Sequence, residues 1–145
     1  MELPEVIIKT GKENMDVNMI HRFLNEDSYW AKDISFTLVD QSLSHSFCIG
    51  AFANAAQVGF GRVITDYYTF GWFADFFVLP DHRGKGISKK MLSHILEQPW
   101  SKRLRRKMLN TSDAHGLYRQ FQFKDLGNPS YVLEIYNPNI HLQFK

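Results

Sequence analysis

The run Val78-Leu79-Pro80-Asp81-His82-Arg83-Gly84-Lys85-Gly86-Ile87-Ser88 joins an apolar stretch to a segment of helical periodicity. Its residue types suit an anion. A strand ending at Pro80 feeds a tight turn, and Gly84 and Gly86 can take backbone angles that other residues avoid. The helix that follows opens with unpaired N–H groups and the positive end of its dipole. Small residues there let a diphosphate reach those N–H groups without a counter-ion. The same glycine pair also suits a plain strand-to-helix turn. The run lacks the Gly-x-x-x-x-Gly-Lys-Ser/Thr pattern of nucleoside triphosphatases and the third glycine of the dinucleotide fingerprint.

Asp75 is the one charge in the apolar run Phe70–Leu79. A carboxylate in such a strand needs a partner or a raised pKa. It suits a proton relay or an ammonium contact, and equally a hydrogen bond that organises the sheet or a nearby loop. Strict alternation places Asp75 on one side with Gly71, Phe73, Phe77 and Leu79. Phe70, Trp72, Ala74, Phe76 and Val78 fall on the other. Asp66, Glu26 and Asp113 are lesser acids in loops or helix starts. Tyr29, Trp30, Tyr67, Tyr68 and Trp72 are aromatics able to wall a pocket for an apolar or cationic group, although Trp30 and Trp72 read more readily as core. His21, His45, His82, His94, His115 and His141 have no second ligand three or four residues away, so no metal is expected.

These residues must be positioned by a chain of 145 residues, which suits one domain spanning 1–145. Hydrophobic residues make up 44% and charged residues 22%, enough to bury a core. The net charge of +2 gives no general case for a nucleic-acid binder. Lys102, Arg103, Arg105, Arg106 and Lys107 do cluster, as a solvated loop or as a contact for an acidic partner or nucleotide phosphate. Cys48 is the single cysteine. Set in Phe47-Cys48-Ile49, it reads as a buried, inert thiol. A lone cysteine suits a reducing, cytoplasmic setting. Met1–Lys9 shows no leader pattern, and no apolar stretch approaches the roughly 20 residues of a membrane span.

Periodicity predicts the elements. Val6–Ile8 is a first strand. Val17, Ile20, Phe23 and Leu24 mark a helix over Asp16–Asn25, followed by an irregular piece over residues 26–31. Phe47–Ala53, Gln57–Thr65 and Phe70–Leu79 are strands joined too briefly for crossover helices, hence an antiparallel meander. Gly84–Gln98 reads as a helix stopped by Pro99. Arg106–Leu109 is a short strand, Ala114–Phe121 a short helix and Tyr131–Tyr136 a last strand. The class is α/β with a mixed sheet.

Val78-x-Pro80-x-x-Arg83-Gly84-x-Gly86-Ile87-Ser88 resembles the acetyl-CoA motif of GNAT acetyltransferases, Arg/Gln-x-x-Gly-x-Gly/Ala after a strand ending Val-x-Pro. Ser88 stands where Gly or Ala is commoner. Asp113-Ala114-His115-Gly116-Leu117-Tyr118-Arg119-Gln120-Phe121-Gln122-Phe123 is similar to the family's Ala-x-x-Leu-Tyr-x-x-x-Gly-Phe, with Gln122 in place of Gly. The resemblance runs from about residue 6 to 136 and is nearest to a small, bacterial, single-domain branch.

The resemblance implies a GNAT-like, mostly antiparallel sheet of six to seven strands and about four helices, the fourth and fifth strands splayed around acetyl-CoA. It implies direct attack of a primary amine on the thioester, with acetyl-CoA as co-substrate and no metal. Tyr118 matches the family's tyrosine that protonates the leaving thiolate, and Asp75 is a candidate base. Main-chain groups of Phe77 and Val78 would pair with the pantetheine arm. Arg83, Gly84, Lys85, Gly86, Ile87 and Ser88 would hold the diphosphate. Tyr29, Trp30 and Asp66 would meet the acceptor, a small-molecule amine rather than a nucleic acid or membrane. Homodimerisation, a longer acyl donor and a non-catalytic acyl-CoA sensor or interaction module stay open.

Overall fold

A computed structural model describes residues 5–145. Residues 1–4, part of the stretch read as lacking a leader, lie outside the described residues. Five strands form one sheet in the order β1-β2-β3-β4-β5: β1 Val6–Thr10, β2 Phe47–Ala53, β3 Ala56–Thr65, β4 Phe70–Val78 and β5 Arg106–Leu109. The first four run antiparallel, as short connections require, and β5 lies parallel to β4. A parallel return needs a crossover. The chain between β4 and β5 supplies it as helices α3 (Ile87–Leu96) and α4 (Pro99–Arg103). The start of α3 therefore sits at the carboxyl end of β4, where ligands of α/β sheets bind.

Helices cover both faces of the sheet. On one lie α1 (Val17–Arg22) and α2 (Phe36–Ser44). Phe23 stacks on Phe77 at 3.9 Å, with Phe60 beside them and fully buried. Burying one such ring stabilises the fold by roughly 2–3 kcal/mol. The other face carries α3, whose Met91, Leu92 and Ile95 pack on Ile49, Val63 and Phe73. The short helix α5 (His115–Arg119) adds Tyr118 and Leu117 to this layer.

The first predicted helix is present and Asp16 caps it, accepting from the Met19 N–H at 3.1 Å. From Phe23 to Asp27 the coil widens to a single π-turn, closed by the Ser28 N–H on the Phe23 carbonyl. Helix α2 was not foreseen. Ser35 caps it by accepting from the Leu38 N–H, and only Val39 and Leu43 are buried, too thin an apolar face to show as periodicity.

Two expectations about strands are corrected. The alternation of β4 breaks at a bulge: Phe60 faces Phe77 while Arg62 faces Ala74, so Asp75 and Phe76 together oppose Gly61. Asp75 sits at φ 59°, and the extra residue moves Phe76 to the face of Phe73, where the two rings stack. Phe77 and Val78 exchange the faces that strict alternation gives them. A Cβ at position 61 would fall 2.4 Å from the Phe76 ring, so the bulge needs glycine there.

The second correction concerns strand number. Tyr131–Tyr136 forms no strand, and the sheet has five strands among the described residues rather than six or seven. Beyond the last core ring, Phe123, the chain runs out as an arm that meets no sheet edge of its own, and a strand exists only where an edge receives it.

Candidate active site

The glycine turn has the geometry its residues suggest. The Leu79 N–H donates to the Val58 carbonyl at 2.8 Å, which closes the antiparallel ladder. Pro80–His82 then make one 3-10 turn. Gly84 and Gly86 follow at φ +75° and +77°, the left-handed region that glycine enters freely. Gly86 is the cap residue of α3 and offers no side-chain acceptor; its carbonyl takes the Lys90 N–H. The helix thus starts with its N–H groups uncapped and no acid in its first turn.

Open space lies in front of those N–H groups. A Cβ built on Gly84 or Gly86 meets nothing within 4 Å. A cavity of about 220 Å³ adjoins them, lined among others by Val78, Arg83, Ser88 and Leu117. Bare donors, a helix dipole and room for an anion are what a diphosphate requires. The Arg83 Nε donates to the Val78 carbonyl at 2.9 Å, tying the turn back onto β4 with its charge beside the cavity. The Lys85 Nζ lies 3.4 Å from the Asp81 carbonyl, on the exposed side of the turn.

From Val78 the cleft runs between β4 and β5. The two strands pair only from Phe70↔Arg106 to Phe73↔Leu109, so from Ala74 onward the facing edge of β4 has no strand partner. The Leu79 N–H bonds β3, and alternation therefore turns the main-chain groups of Val78 toward the cleft. The Phe77 side chain is buried between Phe23 and Phe60 and fixes this edge from behind.

Tyr118 borders this region from α5. Its ring is 9% exposed and meets Phe123 edge-on at 5.8 Å. Burial, with Asp113 and Tyr29 nearby, pushes its phenol up to about 12. The hydroxyl therefore keeps its proton at any physiological pH and is held as a donor. Gln122 stands at φ 74°, the conformation in which the related motif places glycine, so the bend after α5 forms without it at a cost of about 1–2 kcal/mol.

Asp75 joins three segments. One oxygen accepts from Trp30 Nε1 at 2.7 Å, the other from Arg62 Nε at 2.6 Å. Arg62 in turn donates to Ser46 Oγ at 2.9 Å. Both carboxylate oxygens are thus occupied by donors. The π-turn and its loop bring Trp30 to this position and set Tyr29 against it at 4.9 Å, edge to face. Trp30 is 39% exposed, so it borders the cleft instead of filling the core. The Tyr29 hydroxyl accepts from Ser112 Oγ at 2.7 Å, a link from the loop before α2 to the loop after β5.

Tyr29, Trp30, Asp75 and Tyr118 are thus brought together, and Asp66 is not. Its carboxylate caps the β3–β4 turn, accepting from the N–H groups of Tyr68, Thr69 and Phe70 and from the Thr69 hydroxyl. These bonds hold it well below the usual carboxylate range. Tyr67 packs on Trp100 and Tyr68 lies under Arg103, at the same remote end of the sheet. Cys48 is buried, and burial pushes its thiol up to about 11, which keeps it unreactive.

Three contributors escaped sequence reasoning. They are Arg62, Ser112 and His82, the last of which lines the cavity at the glycine turn. The alternation of β3 could have placed Arg62 on the face of Cys48. Nothing local marks Ser112. Among the described residues no group of three His, Cys, Asp or Glu side chains could hold a metal ion, and no helix is long and apolar enough to cross a membrane.

Residues 44–125 match the sequence profile of the acetyltransferase (GNAT) domain. A Gibberella zeae protein assigned as an acetyltransferase is 30% identical, covering 88% of this chain and 81% of its own. The crystal structure of a Xanthomonas campestris protein assigned to the GNAT family is 43% identical, with a TM-score of 0.92 over 97% of this chain and 99% of its own. An acetyltransferase structure from Clostridium acetobutylicum, determined with acetyl-CoA, shares the fold at 15% identity and a TM-score of 0.68, over 91% of this chain and 96% of its own.

Proposed function

This chain belongs to the GNAT acetyltransferase family, and from that premise we propose that it transfers the acetyl group of acetyl-CoA to the primary amine of a small molecule. The observation that carries this reading is the uncapped start of α3, opened by two left-handed glycines at the end of a strand whose facing edge is unpaired. Those N–H groups suit the diphosphate, with Arg83 and Ser88 around them, while the Lys85 side chain turns away to the Asp81 carbonyl. On the unpaired edge the Val78 N–H faces the cleft and suits an amide carbonyl of the pantetheine arm, as an edge accepts an added strand, whereas the Val78 carbonyl is held by Arg83 and the main chain of Phe77 turns to β3. Acetyl-CoA supplies the acetyl group as a thioester.

Tyr118 donates its phenolic proton to the departing sulfur as the amine nitrogen bonds the carbonyl carbon and the carbon–sulfur bond breaks, and the proton that the nitrogen sheds in becoming an amide restores the phenol. The amine, with an ordinary pKa of about 10.4, must first lose a proton. Asp75 is engaged by Trp30 and Arg62, so that proton leaves to water. Asp75 acts as a positioning residue that holds the Trp30 indole at the acceptor side. Tyr29 and Trp30 wall the acceptor position, and the Tyr29–Ser112 bond ties the loop before α2 to the loop after β5 beside it, an arrangement that suits a small amine.

A thiol-release assay with acetyl-CoA against alkyl, aryl, amino-acid and polyamine acceptors tests the reading. Turnover with at least one amine class is expected. Coenzyme A binding with no turnover on any of them would leave a sensor of acyl-CoA in its place.

A further inference from the structure

We infer that the end of the sheet where the β3–β4 turn meets the loop between α4 and β5 is a binding site for single-stranded nucleic acid. It uses the cation cluster that the proposed chemistry leaves idle, and it does not depend on that chemistry. Lys102, Arg103, Arg105, Arg106 and Lys107 fall within six residues. The whole chain carries +2, so everything outside these five cations sums to −3. A small net charge thus conceals one strongly basic end. None of the five takes part in an ion pair among the described residues. Asp66 in the neighbouring turn offsets one charge, but both its oxygens are bonded to turn N–H groups and the Thr69 hydroxyl.

This end of the sheet is out of reach of acetyl-CoA. Arg106 stands in register with Phe70, the first residue of β4, and the Arg105 N–H donates to the Thr69 carbonyl at 3.2 Å. The glycine turn follows Val78, the last residue of that strand. At ~3.3 Å per residue, β4 puts roughly 25 Å between the two. That is farther than the 3′-phosphate of a nucleotide lies from its own diphosphate. Of the readings open to the cluster, a contact with the phosphate of bound acetyl-CoA is therefore removed.

The side chains are arranged for phosphates and bases together. Lys107 serves the fold: it is half-buried, and its Nζ donates to the Ser101 carbonyl at 2.9 Å. Lys102, Arg103, Arg105 and Arg106 are exposed. Arg103 is held in place, its Nε donating to the Tyr67 carbonyl at 3.1 Å and its guanidinium lying 4.4 Å over the Tyr68 ring. Its terminal nitrogens have no partner among the described residues and are set to receive a phosphate. The Tyr68 ring is 68% exposed, and Phe70 beyond it is also open to solvent. Arginines beside open aromatic rings suit a strand whose phosphates meet the cations while its bases stack on the rings. An acidic peptide would use the charges and leave the rings idle, and a duplex keeps the faces of its bases stacked inside.

Fluorescence anisotropy with labelled oligothymidylate tests this on the full chain. Binding is expected with a dissociation constant of about 1–100 μM at physiological salt, falling off with a log–log salt slope near −3 for four phosphate contacts. The double variant Arg105→Gln, Arg106→Gln should flatten that slope by about half. Tyr68→Ala should weaken binding by about tenfold at an unchanged slope. All three side chains are exposed, and an unchanged circular dichroism spectrum checks the fold of each variant. Saturating coenzyme A should leave the affinity for the oligonucleotide unaltered. No binding at low salt, an unchanged slope in the double variant, or displacement by coenzyme A would each overturn the assignment. Equally tight binding of polyglutamate or of phosphatidylserine vesicles would do so too, since neither offers bases to Tyr68.

Discussion

Replacing Tyr118 by Phe removes one oxygen from a ring whose packing is otherwise set by Phe123. The substitution keeps the ring, so affinity for acetyl-CoA should hold while turnover falls by about ten- to ten-thousand-fold, the range for a proton donor. The structure adds a second, sharper expectation. The phenol stands at about 12 against an ordinary 10.0 because burial disfavours its anion. A group raised on folding contributes stability that is complete below the unfolded pKa and lost as pH climbs toward the folded one. Between pH 10 and 12 the native protein should therefore lose about 2–3 kcal/mol that the Phe variant does not lose. Paired thiol-release kinetics and urea unfolding across that window measure both. Unchanged turnover would refute the donor role, and parallel stability curves would refute the buried, protonated phenol on which it rests.

Other outcomes follow from the same geometry. Gly86→Ala should cost about 1–2 kcal/mol of stability through its left-handed φ alone, because its Cβ meets no protein atom, yet weaken coenzyme A binding by at least about tenfold; calorimetry separates the two. Asp75→Asn breaks the ion pair with Arg62 and should lower stability by about 1–3 kcal/mol, raising KM for the amine more than it lowers kcat; a fall in kcat alone would restore Asp75 as the base. Asp66→Asn should lower the melting temperature at neutral pH and leave kcat/KM unchanged. Because its carboxylate is depressed by turn hydrogen bonds, its contribution is present above the ordinary carboxylate range and lost as pH falls below it. Cys48 should resist thiol reagents at pH 8 until the protein is unfolded.

The readable parts of the sequence were those governed by local rules. The β2–β3–β4 meander, the start of α3 and the glycine turn follow from alternation, helical spacing and the backbone freedom of two residues. The bulge did not show, because Asp75 at positive φ is stabilised by Trp30, 45 positions away, and by Arg62 on the next strand. Asp66 looked like a free acid only because the turn it caps is built from N–H groups, which sequence does not display. Tyr131–Tyr136 carries a strand's composition but finds no edge within its own chain. Composition states what a segment can do, and tertiary context decides whether a partner is there.

The central claim is that main-chain donors at the opening of α3 hold the diphosphate of acetyl-CoA. Titrating the labelled protein with coenzyme A and following each amide by NMR tests it most directly. The largest shifts are expected at Gly84, Gly86, Ile87 and Ser88, moving together with a single dissociation constant. Saturation by coenzyme A with those four amides unmoved would contradict it.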